Sequence, residues 1–126
     1  MAMQSMIIYM RPEPKGRPRL YKRKGIITPP KTREFETILK AHMEREWSGA
    51  PLKDLVSVDM VFVKAGKPSQ ANQPWKARAD IDNLVKAIFD AGNGICWKDD
   101  KQIVAMSART IYHAHDAIII TVKEIV

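Results

Sequence analysis

The sequence predicts an α+β fold in which a small mixed sheet is covered by two helices. Two observations predict it. Short segments rich in apolar and β-branched residues occur near both ends and in the middle of the chain, and two segments between them carry apolar residues at helical spacing. The 126 residues suit one hydrophobic core, so we expect a single domain over residues 1–126 with the element order β–loop–α–β–α–ββ.

The first half of the chain contains one strand, a long loop and one helix in this interpretation. Met6 to Met10 is predicted to form a strand, because it is short, apolar and rich in residues that favour strands. The next twenty residues hold five prolines and two glycines, which forbid a helix and predict a long loop or a loose hairpin. A helix is predicted from Lys31 to Trp47, where Pro29 and Pro30 suit its start and Gly49 suits its end.

The second half contains three strands and one helix. Leu55 to Val63 alternates as a strand does, and helical spacing returns from Asp82 to Ala91, with Gly92 ending that helix. Ile103 to Tyr112 and Ala117 to Val126 are predicted as strands. Because only His113 to Asp116 separate them, we expect these two strands to form an antiparallel hairpin.

The net charge of +7 is concentrated in the N-terminal loop. Nine basic residues and one acid lie between Arg11 and Arg33, so that segment carries more positive charge than the whole chain. A polyanionic partner, nucleic acid first, is the natural interpretation, and the alternative is a solvated loop that aids solubility. The candidate contacts to a DNA backbone are Lys15, Arg17, Arg19, Lys22, Arg23, Lys24, Lys31 and Arg33.

The sequence gives no sign of a membrane protein. No apolar run approaches the roughly 20 residues of a membrane span, and the N-terminus lacks the pattern of a signal peptide. The single cysteine, Cys96, has no partner for an intrachain disulfide and is expected to be a small buried apolar residue. We therefore expect a cytoplasmic protein.

Five aspartates lie between residues 80 and 100, which is unusual in so basic a chain. Asp80 and Asp82 are two apart where an extended segment meets a helix, so their carboxylates can converge. Asp99 and Asp100 lie in a polar turn. Carboxylates that converge repel one another unless a cation lies among them, and Mg²⁺ (or Mn²⁺) accepts such oxygen ligands. The alternative is structural, with Asp82 as a helix N-cap and the Asp-Asp pair as ordinary turn residues.

Three further residues in this segment have candidate roles. Lys86 lies one helical turn beyond Asp82, so it either forms an exposed ion pair with Asp82 or stabilises charge on a phosphate oxygen. Asn83 is expected to support the helix start or a ligating carboxylate. Asp90 is interpreted as a partner of Lys86 or as helix surface.

His113 and His115 have a spacing that could hold Zn²⁺ if Asp116 joined them. Because no fourth ligand lies nearby in the sequence, a hairpin turn is the favoured interpretation.

The segment DIDNLVKAIFDAGNGICWKDDKQIV resembles the signature of the RusA family of Holliday-junction resolvases, small metal-dependent endonucleases often carried by prophages. PKGRPRLYKRKGIITPPKTREFE is similar to that family's basic loop and following helix. The resemblance implies that Asp80, Asp82 and Asp100 bind the metal, that Lys86 is catalytic and that the protein is a homodimer. It leaves the role of Asp99 open. Ala79 and Gly92 depart from the family's pattern, and Gly92 is expected to loosen the helix end.

The basic segment and the aspartates predict metal-assisted hydrolysis of a phosphodiester, and the resemblance implies a Mg²⁺-dependent endonuclease that cuts four-way DNA junctions at paired symmetric positions and serves DNA recombination and repair. Two alternatives remain open. One is a nuclease of the same chemistry that prefers other branched DNA, such as flaps or forks. The other is a protein that binds DNA or junctions without cutting them.

Overall fold

The computed structural model describes residues 2–12, 19–21, 25–27, 30–77 and 81–125, and for 19–21, 25–27 and 30–33 it describes the backbone only. The elements follow the predicted order with one addition, a small ribbon after the first strand. Their bounds are β1 (Met3–Ile8), β2 (Arg19–Tyr21), β3 (Gly25–Ile27), α1 (Pro30–Glu46), β4 (Val56–Ala65), α2 (Ile81–Gly92), β5 (Ile103–His113) and β6 (Ala117–Glu124). The predicted α+β class, with a mixed sheet and two helices, is confirmed.

A four-stranded sheet in the order β1-β6-β4-β5 forms the centre of the fold. β6 runs antiparallel to both of its neighbours, whereas β4 and β5 are parallel. Parallel strands need a crossover connection, and α2 lies in the connection between β4 and β5. Separately, β2 and β3 pair antiparallel, which confirms the hairpin interpretation of the basic segment.

The predicted hairpin between the last two strands is wrong, because β4 lies between β5 and β6. The short connection after His113 therefore crosses the end of β4. Its closing residue, Asp116, accepts a hydrogen bond from the main-chain N–H of Ala65, the last residue of β4 (2.8 Å). β4 is therefore a central strand, which pairs with β5 on one edge and with β6 on the other.

The hydrophobic core lies between one face of the sheet and the two helices. One row across the sheet illustrates how the strands supply it, since its residues are paired in register and point to the same face. That row is Met6, Ile120, Met60 and Ala108. The helices add Phe35, Leu39, Met43, Leu84, Val85 and Ile88 to the same cluster. β1 begins three residues earlier and ends two residues earlier than predicted, because its pairing with β6 runs from Met3 to Ile8, and its buried positions are Met6 and Ile8.

The segment that follows β4 returns along the far edge of β5. The main-chain N–H of Tyr112 donates to the carbonyl of Gln73 (2.9 Å), and the Thr110 hydroxyl donates to the carbonyl of Trp75 (2.8 Å). The buried Trp75 indole N–H lies within hydrogen-bonding distance of the carbonyls of Phe62 (3.2 Å) and Ile111 (2.9 Å). These bonds anchor the segment that leads towards α2. None of the described helices is long and apolar enough to span a membrane.

Candidate active site

Asp82 and Lys86 lie on the first two turns of α2, and both side chains are exposed. The helix begins at Ile81, so Asp82 belongs to its first turn and is not its N-cap, which was the structural alternative for this residue. A carboxylate is favourable there because the unpaired N–H groups give a helix N-terminus a partial positive charge.

The side chains of Asp82 and Lys86 form no ion pair with each other, and neither hydrogen-bonds another described residue. Lys86 likewise forms no ion pair with Asp90, which is exposed one turn further along, so Asp90 belongs to the helix surface. Asn83 is exposed beside Asp82. The simple structural explanation for Asp82 and Lys86, an intrahelical ion pair, therefore does not hold.

The two adjacent aspartates before β5 have different surroundings in the acidic turn, which we define as Asp99–Gln102. Asp99 caps the short 3-10 helix of this turn, since its Oδ1 accepts from the main-chain N–H of Lys101 (2.8 Å). Its own main-chain N–H donates to Oε1 of Gln102 (2.9 Å). Asp100 is half-buried, and its carboxylate has no partner among the described residues. Asp99 thus shapes the turn, and Asp100 carries the free carboxylate.

Residues 93–98, which connect α2 to the acidic turn, place that turn against α2. The 3-10 helix Asp100–Gln102 contacts α2. Just before it, the ring of Trp97 packs edge-to-face on Phe89, with centroids 6.2 Å apart, and its indole N–H donates to Oδ1 of Asn93 (2.9 Å). The segment carrying Asp100 therefore packs on the helix that carries Asp82 and Lys86.

The expectation that Gly92 loosens the end of α2 is wrong. A Cβ at this position would lie 2.4 Å from Cζ2 of Trp97, so the absence of a side chain is what permits this contact. The main-chain N–H of Cys96 also donates to the carbonyl of Gly92 (2.9 Å). Gly92 therefore allows close packing in the connection between α2 and the acidic turn.

Asp80, the remaining predicted metal ligand, lies outside the described residues. Across residues 2–12, 30–77 and 81–125, no three His, Cys, Asp or Glu side chains are grouped so as to hold a metal ion. Asp82 and Asp100 still fit Mg²⁺ by their chemistry. They are unpaired carboxylates on two segments in contact, and Mg²⁺ in proteins takes one or two carboxylates and completes its octahedron with water and phosphate oxygens.

Comparison with known proteins adds an independent observation. Residues 10–123 match the family model of the endodeoxyribonuclease RusA. The chain belongs to the RusA family. This confirms the resemblance predicted from the sequence, and it places the chain among endonucleases that resolve Holliday junctions. The chain is also 24% identical over 133 aligned positions to the uncharacterized protein YqaN of Bacillus subtilis (strain 168), with 94% of each chain covered.

The RusA match includes the basic segment, of which the structure describes only parts, mostly as backbone. Of the candidate DNA contacts, Lys15, Arg17, Lys22, Arg23 and Lys24 lie outside the described residues. The backbone of Arg19 lies in β2, and those of Lys31 and Arg33 lie in the first turn of α1. The ribbon and the start of α1 thus carry several of these positive charges at neighbouring positions in the chain.

Other predicted residues of this RusA protein have structural roles. Cys96 is fully buried, as expected, and burial raises the pKa of its thiol to about 12. His113 and His115 are exposed, and the carboxylate of Asp116 binds the main chain of β4 as described above. Sequence reasoning assigned no role to Gln102, although the spacing Asp-x-x-Gln is a capping-box pattern.

Proposed function

We propose that this RusA-family protein is a Mg²⁺-dependent endonuclease that resolves four-way DNA junctions by paired symmetric cuts. Its cellular role would be DNA recombination and repair in the cytoplasm. The observation that carries the proposal is the pair of unpartnered carboxylates, Asp82 and Asp100, on two segments in contact within a chain of this family. Buried or paired aspartates would have favoured a purely structural explanation.

In this proposal Asp80, Asp82 and Asp100 hold the metal, with Mn²⁺ able to replace Mg²⁺. A bound divalent ion supplies Lewis-acid chemistry, lowering the pKa of a coordinated water and offsetting negative charge on the phosphate. The three carboxylates would fix the position of the divalent ion relative to the DNA backbone. Asn83 and Asp99 support them, Asp99 through the acidic turn.

Lys86 acts on the phosphate itself. It is exposed one turn beyond Asp82 and forms no ion pair with a described residue, so its ammonium group is available to a DNA phosphate. A cation positioned beside the phosphoryl oxygens stabilises the negative charge that develops on them in the transition state. No protein-side proton transfer is required of Lys86 in this role.

The remaining parts of the proposal concern how the junction is bound. The basic residues of the segment from Lys15 to Arg33 contact the phosphate backbone, which provides affinity without sequence preference. Residues 1–126 act as one endonuclease domain, and two copies form a homodimer. A two-fold axis presents identical sites to symmetric positions on a junction, which is what paired cutting needs.

A cleavage assay on a labelled synthetic four-way junction, with and without Mg²⁺, tests this function. We expect paired symmetric nicks from the wild type only with metal, and none from Asp82→Asn. The matched control is Asp90→Asn, which removes an exposed carboxylate two turns further along the same helix and should cut normally. Junction binding, measured in EDTA, should be unchanged in both variants.

Three outcomes would contradict the proposal in different ways. Tight binding without cleavage in Mg²⁺ and Mn²⁺ would identify a junction-binding protein. Faster cleavage of flaps or forks than of four-way junctions would identify a nuclease with another substrate. Normal cleavage by Asp82→Asn would remove the metal site assigned here.

A further inference from the structure

Gln102 uses every hydrogen-bonding group of its side chain within the protein. Its Oε1 accepts from the main-chain N–H of Asp99 (2.9 Å). Its Nε2 donates to the carbonyls of Leu52 (2.8 Å) and Asp54 (2.9 Å). One half-buried amide therefore joins the acidic turn to the segment that precedes β4.

The segment held by Gln102 is itself fixed to the connection after α2. The main-chain N–H of Leu52 donates to the carbonyl of Cys96 (2.9 Å), and that of Lys98 donates to the carbonyl of Leu52 (3.3 Å). Cys96 and Trp97 are fully buried. The amide of Gln102 thus ties the acidic turn to a part of the backbone that the core holds in place.

Within the acidic turn, Asp100 is flanked by these constraints but takes no part in them. Asp99 caps the turn on one side and Gln102 anchors it on the other. The carboxylate of Asp100 has no partner in the described part of the chain. Its position is consequently set by the backbone of the turn, and the position of that backbone depends on the three bonds of Gln102.

We propose that Gln102 is a positioning residue of the metal centre, which holds the turn of Asp100 at the place where its carboxylate meets the metal. This inference rests on the proposed function. Mg²⁺ demands near-ideal octahedral geometry at about 2.0–2.1 Å, so a small displacement of one ligand weakens binding. Residues that orient metal ligands affect metal affinity by about 10–100-fold when they are removed.

The chemistry requires an amide at this position. An amide accepts one hydrogen bond and donates two, which is the combination that Asp99, Leu52 and Asp54 present. Glutamate has the same shape but cannot donate, so its carboxylate would face two carbonyl oxygens. Methionine has a similar length and forms none of the three bonds.

The test measures Mn²⁺ binding to DNA-free protein by the EPR signal of free Mn²⁺, in parallel with the Mg²⁺ concentration that half-saturates cleavage. For Gln102→Met we expect about 10–100-fold weaker Mn²⁺ binding and a similar rise in the Mg²⁺ requirement. The rate at saturating Mg²⁺ should recover in large part, and the affinity for the junction in EDTA should not change.

Gln4→Met is the matched control. Gln4 also bridges main-chain groups through its amide, with Nε2 donating to the carbonyl of Ser48 (2.6 Å) and Oε1 accepting from its N–H (3.0 Å). It lies in β1, at the opposite edge of the sheet from β5. It should lower the thermal midpoint as Gln102→Met does but leave Mn²⁺ affinity at the wild-type value.

Equal Mn²⁺ affinity in Gln102→Met and the wild type, or equal losses in both variants, would overturn the positioning role while leaving the proposed function intact. A wild type that neither binds Mn²⁺ nor cuts junctions would overturn both. If Gln102→Met does not fold, the direction in which Gln102→Glu changes the Mn²⁺ affinity tests the positioning role. Added negative charge alone would tighten Mn²⁺ binding, whereas a displaced turn would weaken it, and we expect weakening.

Discussion

Gly92 and Trp97 are in contact where α2 ends, and the contact leaves no room for a side chain at position 92. A Cβ there would lie 2.4 Å from Cζ2 and 2.8 Å from Cη2 of the Trp97 ring. Trp97 is fully buried and cannot move aside without displacing its neighbours. Gly92→Ala should therefore lower the free energy of unfolding by about 1–3 kcal/mol, as overpacking a core does.

Urea denaturation measures this loss, and Gly94→Asn is the matched control. A Cβ at Gly94 would meet no atom within 4 Å, and although its φ of +80° strains most side chains, asparagine tolerates the left-handed region better than most. The free energy of unfolding of this control should fall by less than that of Gly92→Ala. If Gly92→Ala has the same urea midpoint as the control, the Trp97 ring can be displaced at little cost in free energy.

Cys96 gives a pH dependence of stability whose sign follows from its burial. The pKa of its thiol rises from 9.0 to about 12 in the folded protein because burial disfavours the thiolate. Above pH 9 the unfolded chain loses this proton and the folded chain keeps it. The contribution of Cys96 is therefore fully present below pH 9 and is lost as pH rises from about 9 to 12.

A comparison of the wild type with Cys96→Ala isolates this effect, since the other titrating groups are common to both. From pH 9 upwards, the free energy of unfolding of the wild type should fall more steeply, by about 1.4 kcal/mol per pH unit. Parallel curves would contradict the burial of the thiol, as would rapid alkylation of Cys96 in the native protein at pH 8.

Replacement of Lys86 should reduce catalysis and little else. In Lys86→Met we expect the single-turnover cleavage rate at saturating Mg²⁺ to fall about 10²–10³-fold, the cost of removing one group that stabilises transition-state charge. The thermal midpoint should not change, because Lys86 is exposed and forms no ion pair with a described residue. Lys40→Met, an exposed lysine on α1, should cut at the wild-type rate. A loss of junction affinity as large as the loss of rate would make Lys86 a binding residue.

The basic segment should account for the salt dependence of junction binding. The logarithm of affinity falls with the logarithm of salt concentration by about 0.9 for each phosphate contact. Replacing Lys22, Arg23 and Lys24 with serine should weaken binding and reduce that slope by roughly 2 to 3. In the control variant, serine replaces the exposed residues Lys40, Lys67 and Lys123, so both variants have the same net charge. The salt slope of this control should equal that of the wild type. Equal effects in the two variants would indicate a general charge effect instead of local contacts.

The sequence alone predicted the helices of this protein, the α+β class and the family. Helical spacing placed α1 and α2 within a residue of their observed bounds, because an apolar stripe of period 3.6 is a local property of the chain. The burial of Cys96 was also predictable from residue type, and the prolines and glycines of the basic segment excluded a helix but left a long loop and a hairpin as alternatives, of which the hairpin is observed. The roles of Asp82, Asp100 and Lys86 as catalytic residues remain predictions.

Tertiary structure alone decided which strands are neighbours and which residues shape the site. The apolar and β-branched residues of Ile103–His113 and Ala117–Glu124 predict two strands, but either strand could have paired with the other or with β4. The crossover through α2 brings β5 beside β4, so β6 pairs on the other side of β4. Asp99 and Asp100 have identical side chains, but their positions in the backbone of the turn differ. The carboxylate of Asp99 therefore caps the turn, whereas that of Asp100 takes no part in the cap. Sequence patterns record local preferences of the chain, whereas strand neighbours and ligand positions depend on contacts between segments far apart in it.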